Sequence, residues 1–246
     1  MRPVNAMLLA AGLGTRMRPI TDSMPKPLVP VAGKPLIDYA LDALAAAGVG
    51  HVVVNVHYLA DQMRRHLAGV KAPAVVVSDE TDALLDSGGG IVKALPLLGG
   101  EPFYVLNADT FWIEDRAAAR SNLEMLADAF DPQAMDILVM VAALPQTTGH
   151  TGRGDFVMGG YGRLARFDGS NGTPLVYAGA LICHPRIFDG APAGPFSLNR
   201  CFDSAIAAGR LYGMAMHGHW LTVGTPEAIG EAEAAIAAFD APLTAG

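Results

Sequence analysis

The sequence has only two cysteines in 246 residues, few charged side chains and no long apolar run. Cys183 and Cys201 are too few and too far apart for a disulfide framework or a cysteine-rich metal site, so a reducing, cytoplasmic location is expected. No stretch approaches the roughly 18 apolar residues of a membrane span, so no membrane partner is expected. The apolar run Met7–Ala11 is too short for a signal-peptide core, and the basic residues lie mainly after it. A buried first strand is the better interpretation.

Positive charge is scarce as well, because 17 Lys and Arg stand against 24 Asp and Glu, for a net charge of -7. This balance argues against a general nucleic-acid or anionic-membrane binder. The first 36 residues are nevertheless basic, with Asp22 as their one acidic residue. Their cations are Arg2, Arg16, Arg18, Lys26 and Lys34. A basic patch on an acidic protein favours a small anionic ligand.

Apolar runs and helical patterns alternate along the first 145 residues. Such alternation predicts a Rossmann-like α/β fold, with a mainly parallel (mixed) sheet flanked by helices. The predicted strands are Val4–Leu9, His51–Val56, Ala74–Val77, Phe103–Asn107 and Ile137–Ala142. The predicted helices are Leu36–Ala47, Ala60–Leu67, Ile91–Leu98 and Arg116–Phe130.

The pattern changes after Pro145, where glycines and polar residues separate short apolar pieces. These pieces predict a small antiparallel β elaboration, and they are Phe156–Met158, Leu164–Phe167 and Tyr177–Ile182. Helical patterns return at Leu198–Ala208 and Pro226–Phe239. Since there is no repeat and no low-complexity linker, residues 1–246 are predicted to form a single domain.

A glycine-rich segment, Leu9–Pro19, follows the first predicted strand directly. Gly12 and Gly14 let the backbone come close to a ligand and point its N–H groups inward. In parallel sheets, ligands bind at the carboxyl ends of strands, which is where this loop lies. Arg16 adds a forked cation suited to phosphate oxygens. Lys26 lies between two prolines, which lower the entropy lost when it is fixed on an anion.

Two better-known phosphate loops are excluded by spacing. The segment lacks the third glycine of a dinucleotide-binding fingerprint, and the chain has no Gly-x4-Gly-Lys-Ser/Thr motif. A tight glycine turn with exposed basic side chains is the plain alternative. The coincidence of loop, arginine, flanked lysine and preceding strand favours a phosphate site over that alternative.

The segment Leu9–Leu36, LAAGLGTRMRPITDSMPKPLVPVAGKPL, resembles the signature of the sugar-1-phosphate nucleotidyltransferases at nearly every position. Within that family the chain most resembles the N-acetylmuramate 1-phosphate uridylyltransferases of peptidoglycan (cell-wall) recycling. The resemblance implies a nucleotide-diphospho-sugar transferase fold, with a nucleotide-binding half of about 1–110 and a sugar-binding half of about 111–246. It extends to SGGGIVKALPLLG (Ser87–Gly99), NAD (Asn107–Asp109), HTGRGDF (His150–Phe156) and HWLTVGTPE (His219–Glu227).

The resemblance implies that the chain transfers a nucleotidyl group from a nucleoside triphosphate, with UTP expected, to a sugar 1-phosphate and releases pyrophosphate. Such a reaction needs no protein nucleophile, so catalysis rests on positioning and charge neutralisation. Arg16 and Lys26 are the implied catalytic residues, on the leaving pyrophosphate and the α-phosphate respectively. The implied nucleotide-binding residues are Ala10, Ala11, Gly12, Gly14, Thr15, Arg16, Lys26, Ser87 and Gly88.

Asp109 ends a predicted strand beside the loop and is the expected ligand of Mg²⁺, which prefers hard oxygen ligands. A turn or helix cap is the alternative role for a lone aspartate there. The related enzymes commonly carry a second metal-binding aspartate two residues after Trp220, where this chain has Thr222. Three explanations stay open: another carboxylate substitutes, the metal keeps more waters, or activity is impaired.

The base and sugar pockets are implied by the same resemblance. Ser87–Gly90 is expected to contact the base through its main chain, with Ser87 as a helix cap in the alternative interpretation. Asn107 and Asp155 are expected to hydrogen-bond the sugar, and Gly179 to allow its close approach. An ion pair with Arg153 is the alternative role for Asp155.

Two other functions remain compatible with the sequence. One keeps the fold and changes the ligands, to a guanylyltransferase for mannose or heptose 1-phosphate. The other is a sugar-nucleotide-binding protein with weakened catalysis, which the loss of a carboxylate at Thr222 motivates. In each case the partners are small molecules.

Overall fold

The computed structural model describes residues 2–240, and the strands and helices given below are those of that range. The strands are β1 (Asn5–Leu9), β2 (Pro30–Val31), β3 (Lys34–Pro35), β4 (His51–Val56), β5 (Ala74–Asp79), β6 (Phe103–Asn107), β7 (Thr110–Ile113), β8 (Ile137–Ala143), β9 (Thr147–Thr148), β10 (Phe156–Met158), β11 (Leu164–Arg166), β12 (Leu175–Cys183), β13 (Leu211–Ala215) and β14 (His219–Thr222). The α-helices are α1 (Leu36–Ala46), α2 (Ala60–Leu67), α3 (Asp86–Leu98), α4 (Asn122–Ala129), α5 (Asn199–Ala207) and α6 (Glu227–Asp240).

A mixed sheet carries the fold, in the order β13-β8-β12-β6-β1-β4-β5. Strands β6, β1, β4 and β5 run parallel, and β12 is antiparallel to both β6 and β8. The first residue of β12 also pairs with β10, which forms an antiparallel pair with β11. A smaller sheet has the order β7-β14-β9. The predicted mainly parallel sheet with an antiparallel elaboration is therefore confirmed.

Helices cover both faces of the large sheet, because apolar residues occupy both sides of its central strands. In β1, Ala6 and Leu8 face one cluster of buried side chains and Met7 faces the other, as the two-residue period of a strand requires. The first cluster contains residues of α1, α2 and α4, and the second contains residues of α3 and α5. A strand that is buried on both faces needs a continuous apolar run, which is why the sequence located these strands well.

A third buried cluster joins the basic N-terminal segment to the small sheet. Met17 and Val29 pack there with Phe111 of β7 and Leu221 of β14, under residues of α6. This packing fixes the segment that contains Arg16 and Lys26 against the end of β14. The small sheet thereby connects the basic N-terminal segment to α6.

Two helices begin where the sequence did not predict. The predicted helix Arg116–Phe130 is wrong at its start, since α4 begins at Asn122 behind a capping box in which Ser121 and Glu124 satisfy each other's main-chain N–H. The predicted helix Ile91–Leu98 is too short, because α3 begins at Asp86 and includes the glycine run. Ser87 is therefore inside the helix, and its role as N-cap is wrong.

Four strands of the C-terminal part were not predicted as strands: β7, β9, β13 and β14. Each has only two to five residues, which is too short for an apolar pattern to identify a strand. These segments are strands because they pair with distant parts of the chain: β13 lies parallel to β8, and β14 lies between β7 and β9. Among the described residues, no helix is long and apolar enough to span a lipid bilayer.

Candidate active site

The glycine-rich loop leaves β1 at the carboxyl edge of the sheet, next to the end of β6. Leu9 and Asn107 are register partners, so the residues that follow them lie side by side. Gly14 has a left-handed φ of 65°, and a Cβ there would lie 3.0 Å from both Lys26 Cβ and Thr21 Cγ2. Glycine at this position lets the loop turn tightly against the lysine segment. Gly12 is exposed, and a Cβ built there would have no protein atom within 4 Å beyond its chain neighbours, which leaves space beside it for a ligand.

A cleft of about 540 Å³ opens at this edge. Most of the sequence-predicted nucleotide residues line it: Ala10, Ala11, Gly12, Lys26 and Ser87, together with Asn107 and Asp109. Thr15 and Arg16 are exposed and do not line it. Arg16 lies instead against the residues after β14, since a Cβ on Gly224 would be 3.3 Å from Arg16 Nη1. The loop therefore gives main-chain surface to the cleft, and Arg16 stands outside it.

Lys26 and Asp109 form an ion pair in the cleft, with Lys26 Nζ 2.6 Å from Asp109 Oδ2. Lys26 is 8% exposed and opens a short 3₁₀ turn between Pro25 and Val29, so the main chain holds it in place. The side chain of Asp109 is 38% exposed. The family resemblance assigned Lys26 to the α-phosphate and Asp109 to the metal ion. The structure brings the two side chains into direct contact.

A buried polar pair behind the loop was missed by the sequence analysis. Asn55 accepts a hydrogen bond from the Ala10 N–H (2.7 Å) and donates to Glu80 Oε1 (2.8 Å). Glu80 also accepts from the Leu85 N–H, and both side chains are at most 3% exposed while lining the cleft. The signal was present, because Asn55 is a polar residue within the valine-rich run of β4. The Ala10 N–H is used by this bond and is no free donor for phosphate.

The glycine run of α3 serves close packing. The N–H groups of Gly88 and Gly89 both donate to the Phe196 carbonyl, and a Cβ on Gly88 would overlap the Phe196 ring. A Cβ on Gly90 would lie 2.7 Å from Glu80 Oε1. Gly88 is buried and does not line the cleft, whereas Ser87 does, with its hydroxyl accepting from the Leu198 N–H. The physical reason for these glycines is the approach of α3 to the loop that contains Phe196.

A second cavity of about 250 Å³ adjoins the cleft and shares Leu9, Ser87 and Asn107 with it. Asp155 lies in this cavity, where its Oδ2 accepts the Tyr177 N–H at 2.8 Å. Asp155 and Arg153, both within the described range, form no ion pair. Gly179 is buried at the irregularity of β12, with φ of 74°, and a Cβ there would overlap Thr110 Oγ1. The close approach at Gly179 is thus to Thr110.

Thr222 lies close to Asp109 because β14 pairs with β7. Thr222 is the register partner of Thr110, and the Val223 N–H donates to the Asp109 carbonyl. Residues 2–240 contain no group of three or more His, Cys, Asp and Glu side chains arranged around a metal position. Mg²⁺ is commonly held by one or two carboxylates, with phosphate oxygens and waters as its other ligands. The part-exposed Asp109 carboxylate beside the glycine-rich loop fits that pattern.

Comparison with known proteins agrees with this geometry. A family model described as "Nucleotidyl transferase" matches residues 5–168. The N-acetylmuramate alpha-1-phosphate uridylyltransferase of Caulobacter vibrioides is 46% identical over 96% of this chain and 98% of its own length. The protein of that name from Neisseria meningitidis is 37% identical over 96% of this chain and all of its own length. A divalent metal is general in this family.

Solved structures share the fold. A UDP-glucose pyrophosphorylase in complex with UDP-glucose superimposes with a TM-score of 0.76 at 19% identity, covering 97% of this chain and 100% of that one. At this identity the likeness concerns the fold, which is that of the nucleotide-diphospho-sugar transferases.

Proposed function

The chain belongs to the nucleotidyl transferase family, and on that basis we propose that it transfers a uridylyl group from UTP to N-acetylmuramate 1-phosphate and releases pyrophosphate, in the recycling of cell-wall sugars. One structural observation supports the proposed reaction in addition to family membership. Two cavities meet at Asn107, and the Lys26–Asp109 pair lines the larger of them. A reaction that joins two phosphorylated substrates needs two adjoining sites with the reacting phosphates at their junction.

The residues that line the two cavities come from different parts of the chain, which supports separate binding sites for nucleotide and sugar. The cleft is lined by residues up to Asp109 with the addition of Pro195, and the second cavity adds residues between Asp155 and Phe202. This supports a nucleotide-binding half of about 1–110 and a sugar-binding half of about 111–246 within one domain. Both cysteines are free and buried, which is compatible with a cytoplasmic site of action.

In the proposed reaction, a phosphate oxygen of the sugar 1-phosphate attacks the α-phosphorus of UTP as the bond to the pyrophosphate oxygen breaks. Lys26 neutralises charge on the α-phosphate, and its burial keeps water from screening that interaction. Arg16, exposed beside the loop, approaches the leaving pyrophosphate. Gly12 and Gly14 allow the tight turn of the loop and the close approach of its main chain to the phosphates. Ser87 and Asn107 line both cavities and would contact both substrates.

Asp109 would hold Mg²⁺, which when bound supplies charge neutralisation to the phosphate oxygens. Before substrate binds, the carboxylate keeps Lys26 in place through the 2.6 Å contact. Asn107 and Asp155 would accept hydrogen bonds from sugar hydroxyls in the second cavity. Gly179 contributes by letting β12 pass close to Thr110, which shapes the wall of the site.

Pyrophosphate release from the purified chain tests this function. We expect UTP with N-acetylmuramate 1-phosphate to give the highest kcat/KM in a panel that also pairs GTP with mannose and heptose 1-phosphates. A preference for GTP would replace the proposal with a guanylyltransferase. Nucleotide binding without pyrophosphate from any pair would replace it with a sugar-nucleotide-binding protein.

A further inference from the structure

One basic side chain, that of Arg166, lines the second cavity and has no role in the proposed reaction. The walls of this cavity include Asn107, Asp155 and Tyr177, and Arg166 is the one Lys or Arg side chain among the lining residues in the described chain. In the proposed reaction the reacting phosphates lie on the cleft side, where Lys26 lines the cleft and Asp109 would hold the metal. Arg166 forms an ion pair with Asp203, whose side chain is 63% exposed, and the Arg166 Nη1, unpaired among the described residues, is available to a second anionic group on the substrate.

Arg166 is fixed in one orientation. Its Nε donates to Asp203 Oδ1 at 2.8 Å, and its Nη2 donates to Asn199 Oδ1 at 2.9 Å. The guanidinium lies 5.0 Å from the centroid of the Phe156 ring and 5.7 Å from that of Phe202. Among the described residues Nη1 has no hydrogen-bond partner. A planar, pre-oriented guanidinium with a spare donor suits a carboxylate, which it can bind with little further loss of entropy.

A second polar group of the same cavity also lacks a partner. The Tyr177 hydroxyl is buried and makes no hydrogen bond with any residue in the range 2–240. Its ring packs edge-on against Phe202, with 5.6 Å between ring centroids. Burial, followed by nearby acidic groups, raises the pKa of Tyr177, so the hydroxyl stays protonated and able to donate. A buried donor without an acceptor is costly, and a ligand acceptor would satisfy it.

We propose that Arg166, with the Tyr177 hydroxyl, binds a carboxylate on the sugar substrate and makes the enzyme specific for carboxylated amino sugars. This rests on the proposed function, whose sugar carries a lactyl ether with a free carboxylate in addition to its phosphate. In this arrangement Asp155 accepts hydrogen bonds from the neutral hydroxyls of the sugar, and Arg166 binds the lactyl carboxylate. Arg166 is thus a specificity-determining residue, remote from the reacting phosphorus.

The test compares kcat/KM for N-acetylmuramate 1-phosphate and for its lactyl methyl ester, which keeps the shape and removes the charge. In the wild type we expect the ester to be worse by about 10- to 100-fold, the worth of a hydrogen bond between charged groups. Arg166→Gln should lose about that much with the acid and should discriminate less than about threefold between acid and ester. Arg166→Lys should fall between the two.

Arg163→Gln is the matched control, because Arg163 has the same charge and precedes β11 but packs on Tyr212 outside the cavity. It should keep the wild-type preference. Tyr177→Phe removes only the hydroxyl and is the second variant to measure if Arg166→Gln does not fold. It should lower kcat/KM for the acid by about fivefold and leave kcat/KM for the ester nearly unchanged. Equal losses with acid and ester, in Arg166→Gln or Tyr177→Phe, would overturn the inference and leave the proposed function standing. A wild type that does not convert N-acetylmuramate 1-phosphate would overturn the proposed function itself.

Discussion

At the scale of single residues, the Lys26–Asp109 contact explains how a lysine can be almost buried in a site meant for phosphates. A buried ammonium without a partner is strongly disfavoured, and the aspartate supplies the opposite charge while no nucleotide is bound. In the proposed function a phosphate would replace Asp109 as the partner of Lys26, and Asp109 would be free to hold a metal ion. The two side chains would then each have a partner of opposite charge with and without substrate.

Replacing Lys26 by alanine should lower kcat by about 10²-fold, the usual loss when one donor to transition-state charge is removed. The measurement is steady-state pyrophosphate release at saturating UTP and sugar phosphate. Lys34→Ala is the control, because Lys34 belongs to the same basic segment but pairs with Asp42 away from the cleft. A Lys26→Ala enzyme within about threefold of wild type would remove the lysine from the mechanism.

Thr222 gives a second prediction at this scale, on metal dependence. Thr222→Asp adds a carboxylate on the strand that pairs next to Asp109, so the Mg²⁺ concentration for half-maximal rate should fall by about tenfold. Thr222→Asn has nearly the same size without the charge and should leave that concentration unchanged. If both variants behave alike, Thr222 is not at the metal.

At the scale of elements, the sequence located β4, α2, β6 and β10 at their observed bounds, since each is a short pattern bounded by turn residues. Its failures have a common physical origin. The start of α3 contains three glycines, which have low helix propensity, and contacts with Phe196 and Glu80 outweigh that propensity. Within the site, Asp109 and Lys26 were found from their motifs, but their mutual contact and the Asn55–Glu80 pair depend on distant chain segments. Local patterns do not contain that information.

Gly179 gives a prediction for β12. A side chain there would have to adopt a left-handed φ of 74° and overlap Thr110 Oγ1, so Gly179→Ala should lower the free energy of unfolding by about 3 kcal/mol. Urea unfolding measures this change. Gly100→Ala is the control, because Gly100 has no protein atom near its Cβ position and no positive φ. Equal stability of the two variants would show that β12 relaxes around the added methyl group.

At the scale of the whole molecule, the two proposed halves would share one sheet, since β12 pairs directly with β6. At the edge of that sheet where β12, β8 and β13 pair, a charge cluster adds to the apolar packing of these strands. Asp136, 8% exposed just before β8, accepts from Arg186 Nε at 2.6 Å and from Arg210 Nε at 2.8 Å. Arg186 follows β12 and Arg210 precedes β13. One carboxylate therefore ties together three neighbouring strands.

This cluster predicts an acid-sensitive part of the stability. Burial acts to raise the pKa of Asp136, but the hydrogen bonds from Arg210 and Arg186 outweigh it, so the pKa lies below its usual 3.8. A carboxyl whose pKa is lower in the folded state stabilises fully above its unfolded pKa, and that contribution is lost as the pH falls through the folded value. Asp136→Asn should therefore cost about 3 kcal/mol at pH 7. Its deficit against wild type should shrink below about pH 4, as the wild-type carboxyl becomes protonated.

Urea unfolding of wild type and Asp136→Asn at several pH values between about 7 and about 3 provides the measurement. Asp82→Asn removes the same charge from an exposed position and should follow the wild type at every pH. A deficit of Asp136→Asn that stays constant down to about pH 3 would mean that the amide fails for reasons of shape and hydrogen bonding alone. A shrinking deficit would assign the loss of stability to the charge of Asp136 that Arg186 and Arg210 share.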